Sequence, residues 1–296
     1  MARKKRGRKL DAILLLDKPE GLSSNHALQK VKRLYDAQKA GHTGALDPIA
    51  TGVLPICFGH ATKASTFMLV SDKTYQAKIH LGETRTTGDR EGETLDTTDI
   101  SSITADQIQS VLAEFVGEQM QVPPMYSALK KDGKPLYEYA REGIEIERDA
   151  RPITIYSLDF VSYEAPYLII DVACSKGTYI RTLAEDIGSK LGVGAFIEDL
   201  RRTSVAGFEG NTIYTLDELE SMESIDDVLL PVDAALQNVP KIKLNTKESH
   251  KVRHGQVLDL GDYPSEDLIR MYDVDNQFIG VGEVKQSTLY IKRLMV

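Results

Sequence analysis

The hydrophobic positions of the chain fall into short runs of different period. Residues 12–16 are continuously apolar, as in a buried strand, and Asp17–Gly21 ends the run in a turn. Ser23 or Ser24 then caps a helix through about Tyr35, with Ala27, Leu28, Val31, Leu34 and Tyr35 at helical spacing. Val53–Val70 is mostly apolar and predicted to be helical in its later part. Tyr75–Leu81 alternates: Tyr75, Ala77, Ile79 and Leu81 share one face of a predicted strand, and Gln76, Lys78 and His80 the other. Residues 82–101 are polar and read as a long loop, and Thr104 opens a helix to Val116. Tyr167–Cys174 reads as a central strand buried on both faces. It turns through Ser175–Arg181 into a helix with Ile180, Leu183, Ala184, Ile187 and Leu191 on its core face, and Phe196–Arg202 follows. Beyond Pro240, runs at 256–260, 268–274, 278–284 and 288–294 predict a small β-rich domain, with Gly255, Gly261, Gly280 and Gly282 at corners or bulges.

Two segments have no period. Ala40–Gly52 holds three glycines, one histidine, two threonines and one aspartate. It is too rich in glycine for a helix and too irregular for a strand, so a loop is expected. Its one carboxylate, Asp47, precedes Pro48, which biases it towards an extended conformation. Val122–Asp149 is broken by proline and glycine and interleaves Lys130, Lys131 and Lys134 with Tyr126, Tyr137 and Tyr139. Such a mix suits phosphate contact and base stacking. On the segment alone, a surface loop with its tyrosines packed down is the preferred reading.

Charge complicates a nucleic-acid reading. The net charge of −8 argues against one, yet Arg3–Lys9 carries six basic residues, and Thr203–Pro240 carries eight acidic residues with no Lys or Arg. The basic run reads equally as a solvated tail or a phosphate-contacting arm. The acidic segment reads as a helical connection with exposed carboxylates. No run approaches a membrane span. Cys57 and Cys174 have neither disulfide nor metal-ligand spacing, so a reducing cytoplasm is expected.

His26, His42, His60 and His80 are scattered without metal-ligand spacing, and no nucleophile elbow, Walker loop or dinucleotide fingerprint occurs. Carboxylate chemistry without metal or cofactor is left. An aspartate can attack an electrophilic carbon or stabilise an oxocarbenium-like centre, and a nearby arginine would keep it ionised. On the residues alone, a catalytic Asp47 stands beside a plainer reading, in which Asp-Pro caps the following segment.

Residues 41–55, Gly-His-Thr-Gly-Ala-Leu-Asp-Pro-Ile-Ala-Thr-Gly-Val-Leu-Pro, resemble the signature of the pseudouridine synthases, in the branch that modifies uridine 55 of tRNA. Leu14–Gly21, Lys73–Ala77, Val122–Lys130 and Ser175–Thr182 resemble other motifs of that family, in the same order. The match covers roughly residues 10–210, and residues 241–296 weakly resemble the family's PUA-type RNA-binding domain. The resemblance implies an α/β (α+β) fold with a central mixed, largely antiparallel sheet flanked by helices. It implies a basic tail over 1–10, a catalytic domain over 11–240 with an insertion at about 122–150 that closes on the T-arm, and a PUA-like domain over 241–296. It makes Asp47 the nucleophile, Tyr75 the residue that stacks on the uracil and a candidate base for the C5 proton, and Arg181 the partner of the aspartate. Tyr179 and Leu200 match substrate contacts, His42 the residue that helps displace the uridine, and Lys18 a lysine supporting the first strand and turn. Without the family, Tyr75 would read as a core tyrosine. The implied partner is the tRNA T-arm stem-loop, with no cofactor, and a monomer is expected. A synthase for another RNA, or a non-catalytic RNA-binding protein, would share parts of this pattern.

Overall fold

A computed structural model describes residues 7–68 and 71–295. Arg3–Arg6 of the basic run and Leu69–Val70 of the expected helix lie outside the described residues. The chain forms two compact units. One spans Met1–Pro48, Gly52–Ser71 and Ala206–Val296, the other Ile49–Thr51 and Asp72–Val205.

In the first unit, β1 (Ile13–Lys18) is buried along almost its whole length, as its unbroken apolar run demands. Strand β1 is followed by helix α1 (Ser24–Leu34), β2 (Ala40–His42), β3 (Thr51–Phe58) and α2 (Ala61–Met68). Both β1 and β2 pair antiparallel with β3. The strands β2 and β3 occupy the two ends of the glycine-rich stretch, so the true loop is shorter than expected, residues 43–50. Proline explains where it starts. The β2 ladder runs Ala40↔Phe58, Gly41↔Cys57, His42↔Ile56. The next position on β3 is Pro55, which has no N–H to continue the ladder. Thr43 N donates to Pro55 O at 3.1 Å, and the chain then leaves the sheet. Part of the basic run is docked rather than loose: Arg8 bonds through its backbone to residues 36 and 38 and ion-pairs with Asp226.

The second unit begins with β4 (Lys73–Leu81), whose burial alternates as the sequence predicts. The polar stretch after it is not a plain loop. It contains the hairpin of β5 (Glu83–Arg85) and β6 (Thr94–Thr97), whose residues are too polar to show a strand period. Helix α3 (Ala105–Ala113) starts on the expected Thr104, which forms a capping box with Gln107. Next come β7 (Gly117–Gln121), the small hairpin β8 (Lys130–Lys131) and β9 (Lys134–Pro135), α4 (Leu136–Arg141), β10 (Arg151–Glu164), β11 (Tyr167–Cys174), α5 (Ile180–Lys190) and β12 (Ala195–Val205). Within this unit the strand order is β12-β4-β11-β10-β7. The register of β11 against β4 and β10 is antiparallel, and its burial alternates, with Asp171 exposed. The expectation that both faces are buried is therefore corrected. An antiparallel strand can leave one face open, and the polar Asp171 marks it.

Strand β12 has no clean alternation because it carries two irregularities, between Ile197 and Asp199 and between Arg202 and Ser204. Each extra residue reverses the parity of the strand. Ala195, Phe196 and Ile197 are all buried before the first, Leu200 and Arg202 between the two, and Val205 after the second.

The last segment returns to the first unit. The acidic stretch is not a helical connection. It holds α6 (Leu216–Ser221) and two single 3-10 turns, at Ile225–Val228 and Ala234–Leu236. Its apolar positions do not recur at helical spacing for long enough to pack a longer helix. Beyond Pro240 come β13 (Lys241–Lys243), α7 (Thr246–Arg253), β14 (Leu258–Asp259), β15 (Glu266–Tyr272), β16 (Phe278–Lys285) and β17 (Thr288–Leu294). These strands form a sheet in the order β13-β15-β16-β17-β14 around Leu244, Val252, Ile269, Met271, Ile279 and Leu289. Gly280, with φ 154°, sits where an added Cβ would lie 2.2 Å from the carbonyl oxygen of Arg293, a contact that requires glycine.

Asp233, expected on the surface, is buried. Its carboxylate accepts a hydrogen bond from Arg270 Nη1 at 3.0 Å and one from the Tyr272 hydroxyl. Arg270 also donates to the carbonyls of Val239 and Gln237. Burial and the Asp233 charge push the Tyr272 phenol up to about 12. Arg270→Ala would strand a buried carboxylate, which costs about 3–5 kcal/mol. The midpoint of urea unfolding should fall accordingly. An unchanged midpoint would show that the pair contributes nothing net.

Candidate active site

The loop that contains Asp47 is held on both sides of that residue by side chains and backbone from the end of β1 and the segment just after it. Ser24 is buried at the start of α1. Leu46 N donates to Ser24 Oγ at 2.7 Å, and Ser24 Oγ donates to Leu46 O at 3.0 Å. On the other side, Pro48 O accepts from Gly21 N at 2.8 Å and from Lys18 Nζ at 3.4 Å. Gly21 holds φ 80°, the left-handed region where glycine is at ease, and this aims its N–H at the loop. Lys18 is fully buried, and its ammonium also donates to the carbonyls of Pro19 at 2.8 Å and Leu22 at 2.6 Å. Lys18 therefore supports the turn and the loop from beneath. Asp47, half-buried, is the residue between the two clamps. His42, also half-buried, ends β2 five positions before it.

The remaining expected residues lie in the second unit. Tyr75 is buried on β4, at the end of the strand nearest its start. Leu200 is buried on β12, opposite Ala77, and so stands diagonally across from Tyr75 on the same face. The bulge at 198 puts it there. Lys73, two residues before Tyr75, has its ammonium pKa lowered, first by burial and then by the Arg202 charge.

Tyr179 is the N-cap of α5 and Arg181 lies in that helix's first turn. Arg181 is buried, and backbone carbonyls aim its guanidinium. Nη1 donates to Thr87 O at 2.9 Å and Nη2 to Tyr126 O at 2.7 Å, while the Asp89 carboxylate lies 3.5 Å away. Asp89 is itself buried and accepts from Thr87 Oγ1 at 2.5 Å and from Glu91 N. One turn further along α5, burial pushes the Glu185 carboxyl up, and Arg181 opposes that shift. The backbone of Tyr179 is bracketed by Gln121, whose Oε1 accepts from Tyr179 N at 2.8 Å and whose Nε2 donates to Tyr179 O at 3.1 Å.

In the 122–150 segment the interleaved cations and aromatics meet each other. Lys134 Nζ lies 4.5 Å from the centre of the Tyr139 ring, and the Arg141 guanidinium lies 5.4 Å from that of Tyr137. Lys130, Lys131 and Arg141 remain exposed.

Sequence reasoning missed Ser24 as a clamp, since a serine there reads as a cap. It also missed Asp89, hidden in a polar stretch, and Gln121, whose one signal is its place before Val-Pro-Pro. It passed over His250 on α7 and His254, the C-cap of that helix, whose tilted rings have centres 4.2 Å apart. Among the described residues no group of three or more ligating side chains gathers into a metal site.

Three family models match successive stretches of the chain. Residues 32–180 match the model of the TruB family pseudouridylate synthase N-terminal domain. Residues 181–237 match a tRNA pseudouridylate synthase B C-terminal domain, and 240–295 a pseudouridine synthase II TruB C-terminal domain. A tRNA pseudouridine synthase B of Mannheimia succiniciproducens is 48% identical over 99% of this chain and 98% of its own. One of Burkholderia mallei is 50% identical over 98% of each. Among solved structures, a Cbf5-Nop10-Gar1 complex is similar with a TM-score of 0.74 and 25% identity, covering 96% of this chain and 85% of that one.

The Ser24 clamp is directly testable. Ser24→Ala removes both bonds to Leu46 and should speed hydrogen exchange at the Leu46 amide by about tenfold or more, the loss of roughly 1–3 kcal/mol expected for a buried donor. Exchange at Phe58, in β3, should not change. Equal exchange at Leu46 in the two proteins would remove the clamp.

Proposed function

The chain belongs to the TruB family of pseudouridylate synthases and isomerises uridine to pseudouridine in tRNA. On that premise we propose that the target is uridine 55 in the T-loop and that Asp47 is the nucleophile. The N1–C1′ glycosidic bond breaks, the uracil turns, and C5 joins C1′. The C5 proton is lost and N1 gains one, so the atoms balance without an outside reactant. Asp47 adds to C6 of the base or to C1′ of the ribose, and both routes need an ionised carboxylate held still.

The observation that carries this reading is the double clamp around Asp47. Four hydrogen bonds fix the backbone at Leu46 and Pro48, and a nucleophile whose approach is fixed in advance avoids the entropic cost of ordering it at each turnover. Arg181, aimed by carbonyls, is suited to keep the aspartate ionised. Tyr75 stacks on the uracil and is the candidate base for the C5 proton. Tyr179 and Leu200 contact the nucleoside. His42 helps displace the uridine from the loop, a step that costs roughly a few kcal/mol and is offset by stacking in the pocket. Lys18 serves through the turn it supports. The exposed lysines and half-buried tyrosines of 122–150 suit a segment that closes on the T-arm, and the sheet of residues 241–296 suits a PUA-like RNA-binding domain behind a catalytic domain over 11–240. We expect the protein to act as a monomer in the cytoplasm, since a large asymmetric RNA needs no symmetric partner.

Two measurements test this reading. Asp47→Asn should abolish pseudouridine formation in a T-arm stem-loop while the affinity for that RNA stays within a few-fold of the parent's. Conversion at the parental rate would sink the nucleophile assignment. Affinity for the T-arm should also fall steeply with salt, log K dropping by about 0.7–0.9 per phosphate contacted for each unit of log salt. A flat response would remove phosphate contact as the source of binding and leave the charge of −8 as evidence against the T-arm.

A further inference from the structure

Gln121 ends β7, and the 122–150 segment begins at the next residue. The side chain is buried, and both of its hydrogen-bonding groups are used on one distant residue, the N-cap Tyr179. The Tyr179 side chain makes no cap of its own for α5. In an ordinary capping box, a Glu or Gln three residues into the helix reaches back to the N–H of the N-cap. Here that bond comes from another strand, 58 positions away in the chain.

The second bond separates positioning from capping. Tyr179 O already accepts the first intrahelical bond, from Leu183 N at 3.1 Å. The added donor from Gln121 Nε2 does nothing to satisfy the helix end. It fixes the rotation of the peptide groups on both sides of the Tyr179 Cα, and so the direction in which that side chain leaves the backbone. A second link from the same region acts two residues later, where Tyr126 O accepts from Arg181 Nη2 at 2.7 Å. The start of the 122–150 segment is therefore bonded both to Tyr179 and to Arg181.

We infer that Gln121 is a positioning residue for pseudouridine formation: its side-chain amide holds the backbone of Tyr179, and with it the opening turn of α5, in the geometry the reaction requires. This rests on the proposed roles of Tyr179 and Arg181. Gln121 touches no reacting atom. It works through Tyr179 and ties the root of the RNA-closing segment to the residues that serve the uridine.

The test compares Gln121→Met, which keeps the volume and loses both bonds, with Gln121→Glu, which keeps the acceptor for Tyr179 N–H and loses the donor. Single-turnover conversion of a T-arm stem-loop, RNA affinity and thermal midpoint are measured on the same full-length proteins. For Gln121→Met the conversion rate should fall by about 10- to 100-fold, as expected for misplacement of an aligned group, with affinity within threefold of the parent's (about 0.6 kcal/mol). Gln121→Glu should fall between the two. Parental rates in both variants, or losses that follow affinity or melting alone, would leave Gln121 a simple helix cap and overturn the inference. Hydrogen exchange at the Tyr179 amide decides the tie independently of activity: it should rise in Gln121→Met, and no change there overturns the tie. If the parent protein itself fails to convert the stem-loop, it is the proposed T-arm reaction that falls, and the exchange result still decides the role of Gln121 at Tyr179.

Discussion

The structure of the aspartate loop depends on one constraint: Asp47 must be presented from a segment that belongs to neither a helix nor a strand. A loop satisfies its backbone groups with whatever lies nearest, and without fixed partners its conformations multiply. Here the partners come from the last residue of β1 and the segment immediately after it. The serine hydroxyl of Ser24 both donates to and accepts from Leu46, and Gly21 and Lys18 meet Pro48. The buried ammonium of Lys18 draws three backbone carbonyls to itself. A charge out of water is costly unless hydrogen bonds compensate it, so the turn and the loop cannot separate cheaply once Lys18 is inside. The loop is irregular in shape and yet tied at both flanks of its one carboxylate.

The arginine in the second unit follows the same logic with the roles reversed. In the loop, side chains hold backbone. Around Arg181, backbone holds a side chain: the carbonyls of Thr87 and Tyr126 fix two of its nitrogens, and Asp89 lies beside it. Carbonyl partners restrict direction without neutralising charge. Such partners set the direction of a guanidinium, whereas a bidentate carboxylate pair would also offset its charge. Asp89 is the partial exception. At 3.5 Å from Nη1 its Oδ2 is further away than the carbonyls, while its Oδ1 accepts from Thr87 and Glu91, so the carboxylate is held beside the guanidinium.

The sequence offered candidates for the chemistry more readily than the residues that support them. The family motifs surround Asp47, Tyr75, Tyr179 and Arg181, and the alternation of Tyr75–Leu81 correctly assigned one buried face of β4. Leu200 could be named from the resemblance but not located, because the two irregularities of β12 interrupt its alternation. Asp89 lay in a stretch too polar to show the β5–β6 hairpin. Ser24 was visible as one of two possible caps, and the structure divides the work: Ser23 accepts from His26 N and caps α1, while Ser24 turns to the loop. In each case the missing information was a long-range partner, which no local period encodes.

Net charge was a poor guide for the same reason. It counts groups without regard to what each has already met. Among the acidic residues of 203–240, Asp233 is consumed internally by Arg270 and Tyr272, and Asp226 by Arg8. Within 122–150, Lys134 is taken by Glu142 and the Tyr139 ring, while Lys130 and Lys131 are left to solvent. A polyanion meets the charges that remain exposed on the surface it touches, and it meets them over about 8 Å at physiological salt. An acidic protein can therefore bind RNA, provided its unspent cations stand together and its carboxylates are either paired or beyond that distance. Lys130, Lys131 and Arg141 are exposed in the segment that follows Gln121, and that segment is joined to the start of α5 by the bonds of Gln121 to Tyr179 and of Tyr126 to Arg181.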